Sequence, residues 1–322
     1  MQFIEKSPIE TGFAEVFAQR VAPKLDRLEA KRAELLKAGW RNFGITMAIG
    51  VLIGGALAIW NDLVIGIFVV VFFLIPAFAI RSSQSKKWSG EVAETVMPAV
   101  CDFLGDVQYD RKASNSFSAT QAKEMGLVRG FDHAKLEDHM TGTWRGTGFE
   151  MVEAKLTTRT KSNSNSSSNE STVFQGLLFR ISLPHPAPTR ILIARNFGRT
   201  LNKLASFFSS DKTRGMPRIE TGHVEFEKDF ELHAQTPDGV LEYLPPAFLD
   251  NLTAIGSAEA EGGTMGLVAA FEGTDFWLAL SRTKPFLEMA KINEPVDTIT
   301  EELHGVFDDM ALVRRIIDRL HG

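Results

Sequence analysis

Two long apolar runs dominate the hydrophobicity pattern. Residues 43–60 and 63–80 hold eighteen residues each without a single charge, which as helices is near the lower end of what spans a hydrocarbon layer. The second run contains fourteen Leu, Ile, Val or Phe. Such content favours insertion by about 4 to 8 kcal/mol before backbone corrections. In a soluble protein, two consecutive helices apolar all round would need a far larger core than this chain supplies. The pattern therefore predicts a transmembrane hairpin that turns at Asn61 and Asp62. Lys37 and Arg41 precede it and Arg81, Lys86 and Lys87 follow it, whereas the turn carries only an aspartate. By the positive-inside rule both termini are cytoplasmic. Trp40, Trp60 and Trp88 lie near the boundaries, where indole rings favour the headgroup region. About forty mostly polar residues come first, the wrong order for a cleavable signal peptide, so the first run is expected to stay in the protein. The expected location is multi-pass in a bacterial inner membrane, with the lipid bilayer as first partner.

Within the first run Gly50, Gly54 and Ala58 form a small-residue stripe on which another helix can pack closely. Its expected occupant is the other arm of the hairpin, with homodimerisation as the alternative. Neither run contains an ionisable residue, so the pattern indicates no proton relay or ion pathway.

Before the hairpin, residues 1–42 read as a cytoplasmic helical arm. Phe13, Val16, Phe17, Val21, Leu25, Leu28, Leu35 and Leu36 recur at helical spacing, and Pro23 starts a second helix. The apolar stripe does not hold long enough for a coiled coil, so the arm is expected to pack on its own cytoplasmic domain. Residues 81–322 read as an α+β cytoplasmic domain with antiparallel strands. A helix is expected over residues 89–105, with Cys101 on its buried side. Val152, Ala154 and Leu156 alternate with polar residues, and Val173, Leu177, Phe179, Ile181 and Leu183 share one face of their run, giving two amphipathic strands of period two. Between them residues 161–172 form a polar, low-complexity stretch that reads as a disordered hairpin tip. Further strands are expected at residues 189–195 and 223–234, and a hairpin of residues 264–271 and 275–281. A short helix over residues 247–255 should end at Gly256. Thr298 and Glu301 suit a capping box for a C-terminal helix that places Leu303, Val306, Phe307, Met310, Val313, Ile317 and Leu320 on one side.

Charge and chemistry add little. The formal net charge of -5 is mixed along the chain, which gives no nucleic-acid tract. One cysteine makes neither an internal disulfide nor a Cys-based zinc site. His133, Glu137, Asp138 and His139 cluster in sequence, yet the order of metal-binding helices is absent and the segment reads as surface loop. His223 and His233 flank a segment rich in Glu225, Glu227, Asp229 and Glu231, which reads as a solvated strand face. Residues 142–148, GTWRGTG, lack the lysine and helix of a phosphate loop and read as a bend or bulge in a sheet. No catalytic signature, metal site or cofactor motif emerges. The leading expectation is a membrane-anchored binding or scaffolding module. A hydrolase built on the histidines and carboxylates, and a lipid-sensing domain using Lys86 and Lys87, are the alternatives.

The layout, with EDHMTG at residues 137–142, FQGLLF at 174–179 and FEKDFELHAQTPDGVLEYLPPAFLDNL at 226–252, resembles the bacterial family grouped as domain of unknown function 3137. The resemblance covers most of the chain. It implies a membrane-anchored cytoplasmic α+β protein, carries no catalytic residues, and hints at small membrane proteins of the LemA type as partners. Histidines stand in EDHMTG and FELHAQ where the family pattern suggests an aromatic, which speaks against a shared histidine-based reaction.

Overall fold

The computed structural model describes residues 1–60, 62–112, 117–160, 169–195, 216–261, 264–282, 286–287 and 291–321. Asn61 of the expected turn and residues 161–168 of the expected disordered tip lie outside these. The protein is of mixed α+β class, with long N-terminal helices followed by a nine-stranded antiparallel sheet. It divides into two units, Met1–Phe103 with Glu288–Phe307, and Leu104–Leu287 with Asp308–Gly322. Residues 81–103 and 288–307 thus group with the N-terminal residues, rather than with one domain running from 81 to 322.

In the first unit a short helix α1 (Phe13–Val16) leads, through one π turn and one 3-10 turn that holds Pro23, into α2 (Leu25–Trp60). The second long helix, α3, runs Leu63–Leu104 without a break, so no separate helix starts near Ser89. Both are long and apolar enough to cross a membrane. At the turn between them the Asp62 carboxylate accepts the Val64 N–H at 2.7 Å, a cap for the first turn of α3. The polar ends of these helices bury an aromatic cluster. Phe13 meets Phe103 at 5.2 Å and Phe307 at 4.7 Å between ring centroids, and Phe3 lies tilted against His304 at 4.7 Å. Beneath it lies Glu10, only 1% exposed. Its carboxylate accepts the N–H groups of Lys6 and Ser7 and lies 2.7 Å from Nδ1 of His304. Burial works against the charge, but these partners outweigh it and hold the Glu10 carboxyl below the usual range. Cys101 is buried as expected, and burial pushes its thiol up to about 11.

In the second unit the strands are β1 (Val107–Asp110), β2 (His133–Trp144), β3 (Thr147–Thr160), β4 (Asn169–Ser182), β5 (Ile191–Arg195), β6 (Arg218–Ile219), β7 (Phe230–Ala234), β8 (Thr264–Glu272) and β9 (Asp275–Arg282). Their order is β1-β2-β3-β4-β9-β8-β5-β7-β6. Helix α4 (Ala119–Glu124) precedes β2, α5 (Val224–Asp229) precedes β7, α6 (Val240–Tyr243) and α7 (Pro246–Glu261) follow it, and α8 (Ile299–His321) ends the chain.

Both sheet faces are buried. Val152, Leu178, Leu192, Val268 and Trp277 share one face with Phe117, Met125 and Leu127 of the α4 segment. Met151, Phe179, Ile193, Ala269 and Leu278 lie on the other, as the cross-strand register requires. On that side Phe271 meets Tyr243 and Phe248 at 5.9 and 5.7 Å between centroids. The last turns of α8 are held by Trp144 donating to Asp318 at 2.8 Å and by the Arg282–Asp309 ion pair at 2.8 Å.

Several local expectations give way. β4 begins at Asn169, so residues 169–172 belong to the strand, because pairing of Thr157–Thr160 with Asn169–Thr172 satisfies a polar backbone that the side chains alone could not bury. GTWRGTG is a two-residue hairpin turn: Trp144 pairs with Thr147, and Arg145 and Gly146 take the left-handed conformations that such turns require. Val224–Asp229 is a helix, not a strand, started by the His223 ring, which accepts the Phe226 N–H at 3.2 Å. Helix α7 continues through Gly256 to Glu261. Thr298 ends a 3-10 turn and donates to the Pro295 carbonyl, while Glu301 pairs with Lys6, so no capping box forms.

Candidate functional site

Two features stand out once the elements are in place, one in each unit. In the first unit the helix-packing residues Gly50, Gly54 and Ala58 lie against α3. A Cβ on Gly54 would sit 2.6 Å from the Gly66 carbonyl oxygen and 2.7 Å from Val70, and one on Gly50 would sit 2.6 Å from Phe73. A Cβ on Gly66 would in turn meet that of Ala58 at 2.6 Å. Small residues here let the two backbones approach, and no larger side chain fits. Phe43 and Phe78 extend the same antiparallel contact at 5.5 Å between rings, and the Arg81 guanidinium lies 4.3 Å over the Trp40 ring. The outward sides are left bare. Among the described residues all but four of the exposed large hydrophobic side chains lie between Trp40 and Phe78.

The second feature is a set of carboxylates at an irregularity of β2. Glu137 pairs with Glu153 across β2 and β3 and Met140 with Met151, so Asp138 and His139 together oppose the single residue Val152. This is a β-bulge, which re-aims the side chains it carries. Asp138 takes a left-handed φ of 53°, its N–H donates to the Arg111 carbonyl at 3.2 Å, and its carboxylate accepts the Tyr109 hydroxyl. His139 is buried and lies 2.8 Å from the Glu150 carboxylate. The segment is therefore strand, not surface loop, because β1 and β3 take up its backbone groups on both sides.

Burial pushes the Asp138 carboxyl up to about 6. The Glu137 charge adds to this and the Tyr109 hydrogen bond, Arg111 and Lys135 oppose it. Burial likewise pushes the Glu153 carboxyl up to about 7, with repulsion from Asp138 and Glu137 added and the Phe286 N–H and Lys135 opposing. Two carboxyls on adjacent strands thus hold and release protons near neutrality, where ordinary carboxylates stay ionised. The sequence signal was present in EDHMTG, but only the bulge brings Asp138 under Tyr109 and beside Glu153.

The histidines do not converge. His133 is exposed on β2, whereas His223 caps α5 and pairs with Asp250 at 3.0 Å, and His233 on β7 lies 3.3 Å from the Met216 carbonyl. Six strand spacings separate β2 from β7 in the sheet, about 29 Å at the usual interstrand distance. A single reaction centre drawing on both histidine pairs is not assembled. Among the described residues no group of three His, Cys, Asp or Glu is arranged to hold a metal ion.

No curated protein matches the chain. Among solved structures it is similar to the crystal structure of the mycobacterial trehalose monomycolate transport factor A, TtfA, at 8% identity with a TM-score of 0.31, over 65% of this chain and 88% of that one. A likeness so distant carries no argument about function. Residues 172–321, which hold most of β4, all of β5 to β9 and α8, match the family described as protein of unknown function (DUF3137).

Proposed function

We propose that the protein is a membrane-anchored binding module, held in a bacterial inner membrane by the α2–α3 hairpin with both termini cytoplasmic. The observation that carries the anchoring is the bare apolar belt from Trp40 to Phe78. Ile59, Trp60, Phe68 and Leu52 are 92, 88, 75 and 73% exposed, and soluble monomers rarely leave so continuous an apolar surface in water. Lipid chains are its natural solvent, and Arg81 stacked on Trp40 suits the headgroup boundary on the side of the termini. The binding half rests on the second unit, whose sheet is buried on both faces and so serves as a rigid support for loops and helices.

Alkaline extraction of membranes tests the anchoring: the chain stays in the pellet, and release into the supernatant contradicts it. Crosslinking in intact membranes followed by mass spectrometry tests the binding. One protein recovered with the full chain and lost on deleting the residues after Trp88 is the expected result, with small membrane proteins of the LemA type among the candidates. Recovery of abundant bystanders alone contradicts it.

A further inference from the structure

The pairing of α2 and α3 continues beyond the apolar runs. Gly39 lies against Gln84, Phe43 against Phe78 and Gly50 against Phe73, and ahead of α2 Arg20 of the π turn pairs with Asp102 of α3 at 2.6 Å. In an antiparallel pair of that register Arg27 stands level with Glu94, and Lys31 with Glu91. These four residues do not close on one another. Together with Leu28, Glu34 and Thr95 they line a groove of about 680 Å³, whose α2 wall is net basic, with Arg27 and Lys31 beside Glu34, and whose α3 wall is acidic. Lys31 shares an exposed ion pair with Glu34 at 3.0 Å, whereas Arg27, Glu91 and Glu94 are exposed and make no ion pair among the described residues.

We propose that this groove is a homodimer contact, in which Arg27 and Lys31 of one copy meet Glu94 and Glu91 of a second copy. The inference rests on the reading of the hairpin as a membrane anchor. Two copies anchored in one bilayer with the same orientation can form a closed pair only about a two-fold axis along the membrane normal. Such an axis keeps every residue at its own depth and exchanges left with right, so each basic wall faces an acidic wall at the same level. The register of α2 on α3 supplies that match in level. Exposed ion pairs contribute little singly. Confinement to a membrane raises the effective concentration, and the symmetric arrangement makes each pair twice. The small-residue stripe of Gly50, Gly54 and Ala58 is already filled by α3 and is not the contact.

The test uses full-length chains in native membranes with Cys101→Ala as background. Chains carrying Arg27→Cys and chains carrying Glu94→Cys, with different tags, are co-expressed and treated with a short bis-maleimide. A crosslink between the two tags is expected. Arg27→Glu with Lys31→Glu, or Glu91→Lys with Glu94→Lys, cuts crosslinking between like chains through a neutral reporter cysteine by about tenfold. Co-expressing the two reversed chains restores it, which a misfolded variant would not do. Absence of the crosslink while the chain stays in alkali-extracted membranes overturns the dimer and leaves the anchor standing. Release of the chain by alkali overturns the anchor and, with it, the geometry of this inference. Crosslinking that ignores charge reversal, or that joins Arg27→Cys to a different protein, also overturns it.

Discussion

Replacing Glu153 by glutamine tests the raised carboxyls at the β2 bulge. In wild type the group takes up its proton in the folded state near pH 7 rather than near 4.5. Folded protein therefore binds more protons than unfolded between these values. Stability falls as the pH rises from the unfolded value through the folded one, and the cost is complete above it. A shift of that size corresponds to a ceiling of about 3 kcal/mol. Glu153 is partly exposed and part of the shift is shared with Asp138, so solvent screening and coupling reduce this to about 1 to 2 kcal/mol. Glutamine keeps an oxygen for the Phe286 N–H and removes the charge. At about pH 8 the variant should be the more stable by that amount, raising the unfolding midpoint by about 2 to 6 °C, while at about pH 4 the two should converge. Thermal unfolding of the full chain in nanodiscs across this range, followed by tryptophan fluorescence, measures the difference. Equal pH dependence in the two proteins, or a less stable variant at the alkaline end, would refute the reasoning.

Other substitutions probe the two units separately. Glu10→Ala leaves the Lys6 and Ser7 N–H groups and His304 without their acceptor, and should destabilise the protein by about 3 kcal/mol at neutral pH in chemical unfolding. Because that carboxyl is held low, the contribution is present above the ordinary glutamate range and fades as the pH drops through its lowered value. Gly176 has φ 150°, and a Cβ there would sit 1.9 Å from the Leu280 carbonyl oxygen, so Gly176→Ala should cost about 3 to 5 kcal/mol or prevent accumulation of folded chain, read by expression and unfolding. Gly54→Leu should weaken the hairpin by about 1 to 2 kcal/mol in nanodisc unfolding. Gly55→Leu, at a position with open space around it, should leave stability unchanged.

The helical hairpin was legible in residues 43–80 because a charge-free run has few other solutions. β3 was legible because Val152, Ala154 and Leu156 alternate with polar residues, and the β8–β9 hairpin because two short apolar runs, residues 264–271 and 275–281, flank a tight polar turn. Val224–Asp229 was not, because VEFEKD alternates as a strand does, and only the His223 cap and the burial of Phe226 turn it into a helix. The end of α7 was misread at Gly256 because a glycine inside a helix looks the same in sequence as one that closes it. The carboxylate site depended on a one-residue bulge, and a shift of register leaves no trace in composition. What fills the stripe of Gly50, Gly54 and Ala58 likewise became visible only when Gly66, Val70 and Phe73 were seen against it.

Topology reporters test the central claim most directly. A fluorescent protein that matures only in the cytoplasm and alkaline phosphatase, which is active only outside it, are fused in parallel behind residue 322 and ahead of residue 1. Fluorescence without phosphatase activity at both ends is the predicted result, since the hairpin crosses twice and its basic flanks stay inside. Phosphatase activity without fluorescence at either end would contradict it.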